Sequence, residues 1–187
     1  MGTIKTTNIE TITGSGTLTL GQSGETVSVP SGATLDLSNA TQTGVGGDNT
    51  PAWCVRKSAN QSIPTNTRTL ITYDTEIVDT DSAFSSNTFT VPSGEGGKYF
   101  IFAYLRINSA TNFENINSLV EVNSTMEMSA WGANDYYQTL LIQGILNLSA
   151  GDTVKHYGRQ DSGGNLNVGA TDQGINTMFG GYKLIGV

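Results

Sequence analysis

Apolar and polar residues alternate along much of this chain, and nowhere do apolar residues recur at the three- and four-residue spacing of a sustained helix. After Pro51 the strand-like runs are Ala52–Lys57, Arg68–Asp74, Thr88–Val91, Lys98–Ile107, Ser118–Met128, Thr139–Leu148, Thr153–Tyr157, Leu166–Val168 and Thr177–Ile185. Turn-forming stretches separate them, among them Pro92-Ser93-Gly94-Glu95-Gly96-Gly97, Ala150-Gly151-Asp152 and Asp161-Ser162-Gly163-Gly164. Many strands without crossover helices predict an all-β antiparallel sandwich or jelly roll.

In Lys98–Ile107 both faces are apolar. Tyr99, Ile101, Ala103, Leu105 and Ile107 point one way, and Phe100, Phe102 and Tyr104 the other. A sandwich strand normally shows one face to water, so one face here is assigned to the core and the other to a neighbouring subunit. Phe100, Phe102 and Tyr104, or their alternates, are the expected seam.

Upstream lies a crude repeat: Leu18-Thr19-Leu20, Val27-Ser28-Val29 and Leu35-Asp36-Leu37, with Gly21-Gln22-Ser23-Gly24 and Pro30-Ser31-Gly32 between them. Each unit reads as a short strand with two apolar residues flanking a polar one. So short a segment needs a disulfide, a metal or oligomerisation, and self-association around a common axis would bring Leu18, Leu20, Val27, Val29, Leu35 and Leu37 together in a trimer. The other reading is a meander of edge strands packed on the downstream domain. The expected organisation is an attachment arm over residues 1–13, a β-repeat stalk over 14–40, a Gly-rich linker over 41–50 and a head over 51–187.

Composition agrees with many short strands. Charged residues are 13% of the 187, Gly is present 23 times, and Ser, Thr and Asn are abundant. The net charge of −7 opposes nucleic acid, whose binding requires cations against phosphate, and disfavours an anionic membrane surface. No apolar run is long enough to span a bilayer, so no membrane insertion is expected, and Met1-Gly2-Thr3-Ile4-Lys5 is too polar for a secretory leader. The lone Cys54 excludes an internal disulfide and reads as a small buried hydrophobe.

Four ordered blocks carry a family resemblance. Thr88-Phe89-Thr90-Val91-Pro92 leads through a Gly turn into Gly97-Lys98-Tyr99-Phe100-Ile101-Phe102. Downstream come Leu148-Ser149-Ala150-Gly151-Asp152-Thr153-Val154 and Phe179-Gly180-Gly181-Tyr182-Lys183-Leu184-Ile185, and Ala52-Trp53-Cys54-Val55 lies upstream. Residues 51–187 thereby resemble C1q-like domains. The resemblance implies a ten-stranded jelly roll of the C1q and tumour-necrosis-factor type, assembled as a compact homotrimer and binding ligands through surface loops. Asn87-Thr88 replaces the glycine that usually precedes the Phe-Thr pair, and no collagen repeat precedes the head. The stalk, Thr13-Gly14-Ser15-Gly16-Thr17-Leu18-Thr19-Leu20-Gly21, is similar to β-repeats ahead of C1q-like heads in tail fibres of tailed bacteriophages.

Candidate chemistry is sparse. His156 stands alone without a Cys cluster, so it is expected to be an exposed or rim strand residue rather than a base or metal ligand. Asp74, Glu76, Asp79 and Asp81 read as a solvated loop without the spacing of a calcium hand. No catalytic residue, metal or cofactor is predicted. Trp131-Gly132-Ala133-Asn134-Asp135-Tyr136-Tyr137 combines rings with hydrogen-bonding groups, as stacking on a sugar requires, and Trp131, Asn134, Asp135, Tyr136 and Tyr137 are the candidate recognition residues. Equally, Trp131 and Tyr137 could cover the end of the sandwich or the trimer seam. Tyr157 and Arg159 form a second candidate, a cation beside a ring.

The functional expectation is a non-enzymatic structural protein of a tailed-bacteriophage virion. It would be made in the host cytoplasm and displayed on the particle exterior. There it would act as a trimeric fibre or spike subunit, attached to other virion proteins through its arm or stalk and contacting a host surface glycan. The alternative is a capsid decoration protein that stabilises the phage head.

Overall fold

The computed structural model describes residues 19–20, 23–36, 49–107, 115–132, 138–169 and 177–185. The chain divides into two units, residues 1–43 and 44–187.

In the first unit the described residues carry turns but no strand. The turns at Ser23-Gly24 and Ser31-Gly32 put both glycines at positive φ, 87° and 85°, which a side chain would resist. Among the described residues none of the expected short strands is formed. A strand is held by ladder bonds to a neighbour, and a single chain offers these apolar pairs none. Leu20, Val27, Val29 and Leu35 are accordingly exposed, by 44–65%. Leu18 and Leu37 lie outside the described residues, as do the arm and most of the linker.

The second unit is all-β, with thirteen strands among the described residues. They are β1 (Ala52–Arg56), β2 (Gln61–Ile63), β3 (Thr69–Leu70), β4 (Thr75–Asp79), β5 (Phe84–Ser85), β6 (Thr88–Thr90), β7 (Gly97–Arg106), β8 (Ile116–Val122), β9 (Thr125–Gly132), β10 (Thr139–Leu148), β11 (Thr153–Gln160), β12 (Leu166–Val168) and β13 (Met178–Lys183). One sheet runs β10-β7-β13-β1-β4 and the other β5-β6-β11-β8-β9, with β3 on β11 and a small β2-β12 ladder. All these pairings are antiparallel.

Period-two alternation sets the core. Tyr99, Ile101, Ala103 and Leu105 of β7 are fully buried, and Leu140, Ile142 and Leu148 of β10 join them. Facing them from the other sheet are Phe89, Val120 and Val154. Trp53 stacks on Phe89 with centroids 3.6 Å apart and planes 9° apart. Each such buried side chain contributes about 1.5–3 kcal/mol. The Phe179-Gly180-Gly181-Tyr182 run belongs to this packing. A Cβ on Gly181 would lie 2.6 Å from Cη2 of Trp53 and 2.7 Å from the Phe100 carbonyl, while one on Gly180 would lie 2.5 Å from Cζ of Phe102. Glycine lets β13 pass between two rings, one on each face.

Three predicted elements differ. Of Arg68–Asp74 only Thr69–Leu70 forms a strand. Ser118–Met128 is not one strand, because Asn123 and Ser124, both at positive φ, turn β8 into β9. Asp74–Asp81 is not a loop. It contains β4, an edge strand with Glu76 exposed, and edge strands carry outward charge to discourage further pairing.

Candidate ligand-binding face

On the β9-β8-β11 side of the second sheet the pleat sorts residues by face. Ser118 Oγ bonds Nε2 of His156 in the core at 2.8 Å, so Asn117, Leu119 and Glu121 take the opposite face. In β11, Val154, His156, Gly158 and Gln160 are buried, and Lys155, Tyr157 and Arg159 alternate with them outward. The register then sets Trp131, Asn117 and Arg159 in one row and Ser129, Leu119 and Tyr157 in the next. A third row, past a bulge, holds Met126, Glu121 and Lys155. Trp131, Tyr157 and Arg159, proposed from the sequence as two separate candidates, thus share one sheet face on β9 and β11. Asn134, Asp135, Tyr136 and Tyr137 lie outside the described residues.

The face is held by charge. Arg68 pairs with the buried carboxylate of Glu121 and sets its guanidinium 4.8 Å from the centroid of the Tyr157 ring. Arg159 donates from Nη2 to Asn66 Oδ1 at 2.9 Å. Beyond it, Asp161 accepts from the Asn115 backbone and side chain, both at 2.7 Å, and these bonds hold its carboxyl below the usual range. Asn117 is 5% exposed and its Oδ1 has no hydrogen-bond donor. Trp131 is 67% exposed. Asn117, Glu121 and Arg68 were not singled out from the sequence, since an Asn and a Glu alternating with core residues look like ordinary outward positions.

His156 is a correction. Instead of lying at a rim it is fully buried, with Nδ1 at 2.5 Å from the Tyr73 hydroxyl and Nε2 on Ser118. Burial pushes its pKa down to about 3, so the ring stays neutral, and burial raises Tyr73 well above its ordinary value. A Ser–His pair normally signals a nucleophile and its base. Here no solvent or substrate reaches the ring, and it serves the core. Cys54, expected in the core, is only half-buried, and burial still raises its thiol.

On the first sheet Phe100, Phe102 and Tyr104 take the outer face, since their alternates fill the core. Across β7, Ile145 lies opposite Phe100 and Leu141 opposite Tyr104, and these aliphatics are 59% and 44% exposed. Tyr182 packs on Phe100 with centroids 5.5 Å apart.

The acidic residues divide. Asp79 accepts from the Ala83 and Phe84 backbones at 2.9 Å and closes a turn. Asp74 and Glu76 instead line an open cleft of about 310 Å³ with Val55, Tyr73, Phe84 and Asn87. Asp152, in the Gly-Asp turn, accepts from Ser149 N and Asn123 Nδ2 at 2.7 Å, and these bonds lower its carboxyl. Among the described residues no group of three His, Cys, Asp or Glu could hold a metal ion.

No family model and no curated protein sequence matches the chain. Solved structures do. The globular domain of a zebrafish complement 1qA protein aligns with a TM-score of 0.51 at 15% identity, over 72% of this chain and 97% of that one. Murine APRIL aligns with a TM-score of 0.55 at 13% identity, over 71% and 98%. A tumour necrosis factor named Eiger from S. frugiperda aligns at 0.54 and 11% identity, over 71% and 91%. At such identities the likeness establishes the architecture alone: residues of the second unit fold as a jelly roll of the C1q and tumour-necrosis-factor type.

Proposed function

We propose that the chain is a homotrimeric, non-enzymatic structural protein of a tailed-bacteriophage virion, a fibre or spike subunit whose jelly-roll head contacts a host surface glycan. The observation that carries it is the contrast between the head's two outer faces. Phe100, Phe102, Tyr104, Leu141 and Ile145 form an apolar surface that a second copy would cover, and Trp131, Tyr157 and Arg159 form an aromatic and charged one suited to a ligand. The exposed Leu20, Val27, Val29 and Leu35 support a stalk that completes itself only between copies. Its glycine-punctuated repeat, similar to those of phage tail fibres, supports the virion assignment. Enclosure of the lone histidine supports a binding rather than a catalytic role.

The test is electron microscopy of virions carrying a labelled copy of this chain, with adsorption measured on the same particles. Label on a projecting fibre, in multiples of three, with adsorption blocked by antibody to the head, is the expected result. Label over the capsid surface with adsorption unaffected would replace the fibre reading with capsid decoration.

A further inference from the structure

We propose that the β9-β8-β11 face binds an acidic saccharide, a pyranose chain carrying carboxylate or phosphate groups, with Trp131 as the stacking platform and Arg159 as the anion contact. This deepens the glycan-binding reading above and rests on it.

Three observations converge. The first is charge. The chain has 9 Lys and Arg against 16 Asp and Glu, yet among the described residues this face gathers three cations, Arg68, Lys155 and Arg159, against two carboxylates, Glu121 paired with Arg68 and Asp161 beside Arg159. A positive patch on an acidic protein selects an anionic partner and repels the protein's own surfaces. The pair Arg68–Glu121, braced on Tyr157, fixes one cation in place. Arg159 uses one of its five N–H donors on Asn66, and the planar guanidinium can present others to a carboxylate or phosphate.

The second is the orphan. Asn117 Oδ1 sits between Trp131 and Arg159 in the register, buried and without a donor. A buried acceptor left unpaired is costly, and a ligand hydroxyl reaching it would remove that cost. The third is Trp131, a large ring two-thirds exposed at the end of a strand rather than packed. Two inter-strand spacings, about 10 Å, separate it from Arg159. That leaves room for a sugar ring on the indole with its acidic substituent at the guanidinium and a hydroxyl over Asn117. A nucleic acid fits less well, because three cations, one of them already paired, do not track a phosphate backbone.

The experiment uses the full-length protein, immobilised polygalacturonate and alginate as acidic probes, and dextran and mannan as neutral ones. Binding to an acidic probe at least about tenfold tighter than to either neutral one is expected, weakening as salt rises from about 0.05 to about 0.5 M. Trp131→Ala and Arg159→Gln, both at surface positions, should each weaken it about tenfold with circular dichroism and oligomeric mass unchanged. Equal binding to neutral polymers, or acidic binding that neither substitution alters, overturns this site while leaving glycan recognition standing. Failure to bind any saccharide or any host envelope fraction overturns both.

Discussion

The hydroxyl of Tyr73, a half-buried residue, meets Nδ1 of the fully buried His156 at 2.5 Å. The contact ties the loop after β3 to β11, the central strand of the sheet that β3 also joins, and with Ser118 on Nε2 it satisfies both ring nitrogens. In the neutral ring one nitrogen donates and the other accepts, so protonation would turn an acceptor into a second donor.

Stability should therefore depend on pH through His156. Its folded pKa, about 3, lies below the unfolded value of 6.5. Between these values the unfolded chain binds a proton that the native chain refuses. The contribution is complete above 6.5 and is lost as pH falls toward 3, by about 1.4 kcal/mol per pH unit for one proton. Denaturant unfolding from pH 7 down to pH 4 should show this slope. In His156→Gln the stability should be lower at pH 7 and the slope shallower. An unchanged slope would place the acid sensitivity elsewhere.

Gly181→Ala should destabilise the head by about 2 kcal/mol, because its methyl meets both Trp53 and a backbone carbonyl. Thermal unfolding checks this, and Trp53 fluorescence should change as its ring is displaced. Gly164→Ala, in open space, is the control and should be neutral.

Assembly should fail when the apolar face acquires a charge. The protein is expected to sediment at three times its 19.7 kDa chain mass. Phe102→Asp should sediment as a monomer with its β-sheet circular dichroism retained, since Phe102 lies on the outer face and not in the core. A trimeric Phe102→Asp variant would move the seam to another surface.

Deleting residues 1–47 should leave a folded, trimeric head that no longer attaches to its particle. Folding and mass are read in solution, and attachment by immunoblot of purified virions complemented with the truncated chain. Retained attachment would assign the anchor to the head.

Much of the fold was legible because alternation survives wherever one face is apolar. Thr139–Leu148 and Leu166–Val168 were bounded as observed, and the doubly apolar character of Lys98–Ile107 required one core face, which Tyr99, Ile101, Ala103 and Leu105 supply. Legibility failed where packing overrides pattern. In β11 the inward positions after Val154 are His156, Gly158 and Gln160, a polar series that looks solvent-facing until Tyr73, Ser118 and the Ile63 and Gly164 carbonyls are seen to satisfy it. The β8–β9 turn was hidden because Asn123-Ser124 lacks the glycine that usually marks a two-residue hairpin. The ligand face depends on lateral register between β9, β8 and β11, a long-range property that spacing within one strand does not encode.

That register has an evolutionary corollary. Trp131, Asn117 and Arg159 alternate with Ala130, Ser118 and Gly158, which face inward. Away from the bulge that turns Met126 outward, each strand therefore writes two texts in one sequence, odd positions for recognition and even positions for folding. Substitutions confined to the first leave the second untouched, so the outward set can diversify under selection by changing targets while the jelly roll beneath it stays constant. Libraries randomised at residues 129, 131, 155, 157 and 159 should accordingly retain folded members at high frequency, which makes this sheet a scaffold whose specificity can be rewritten.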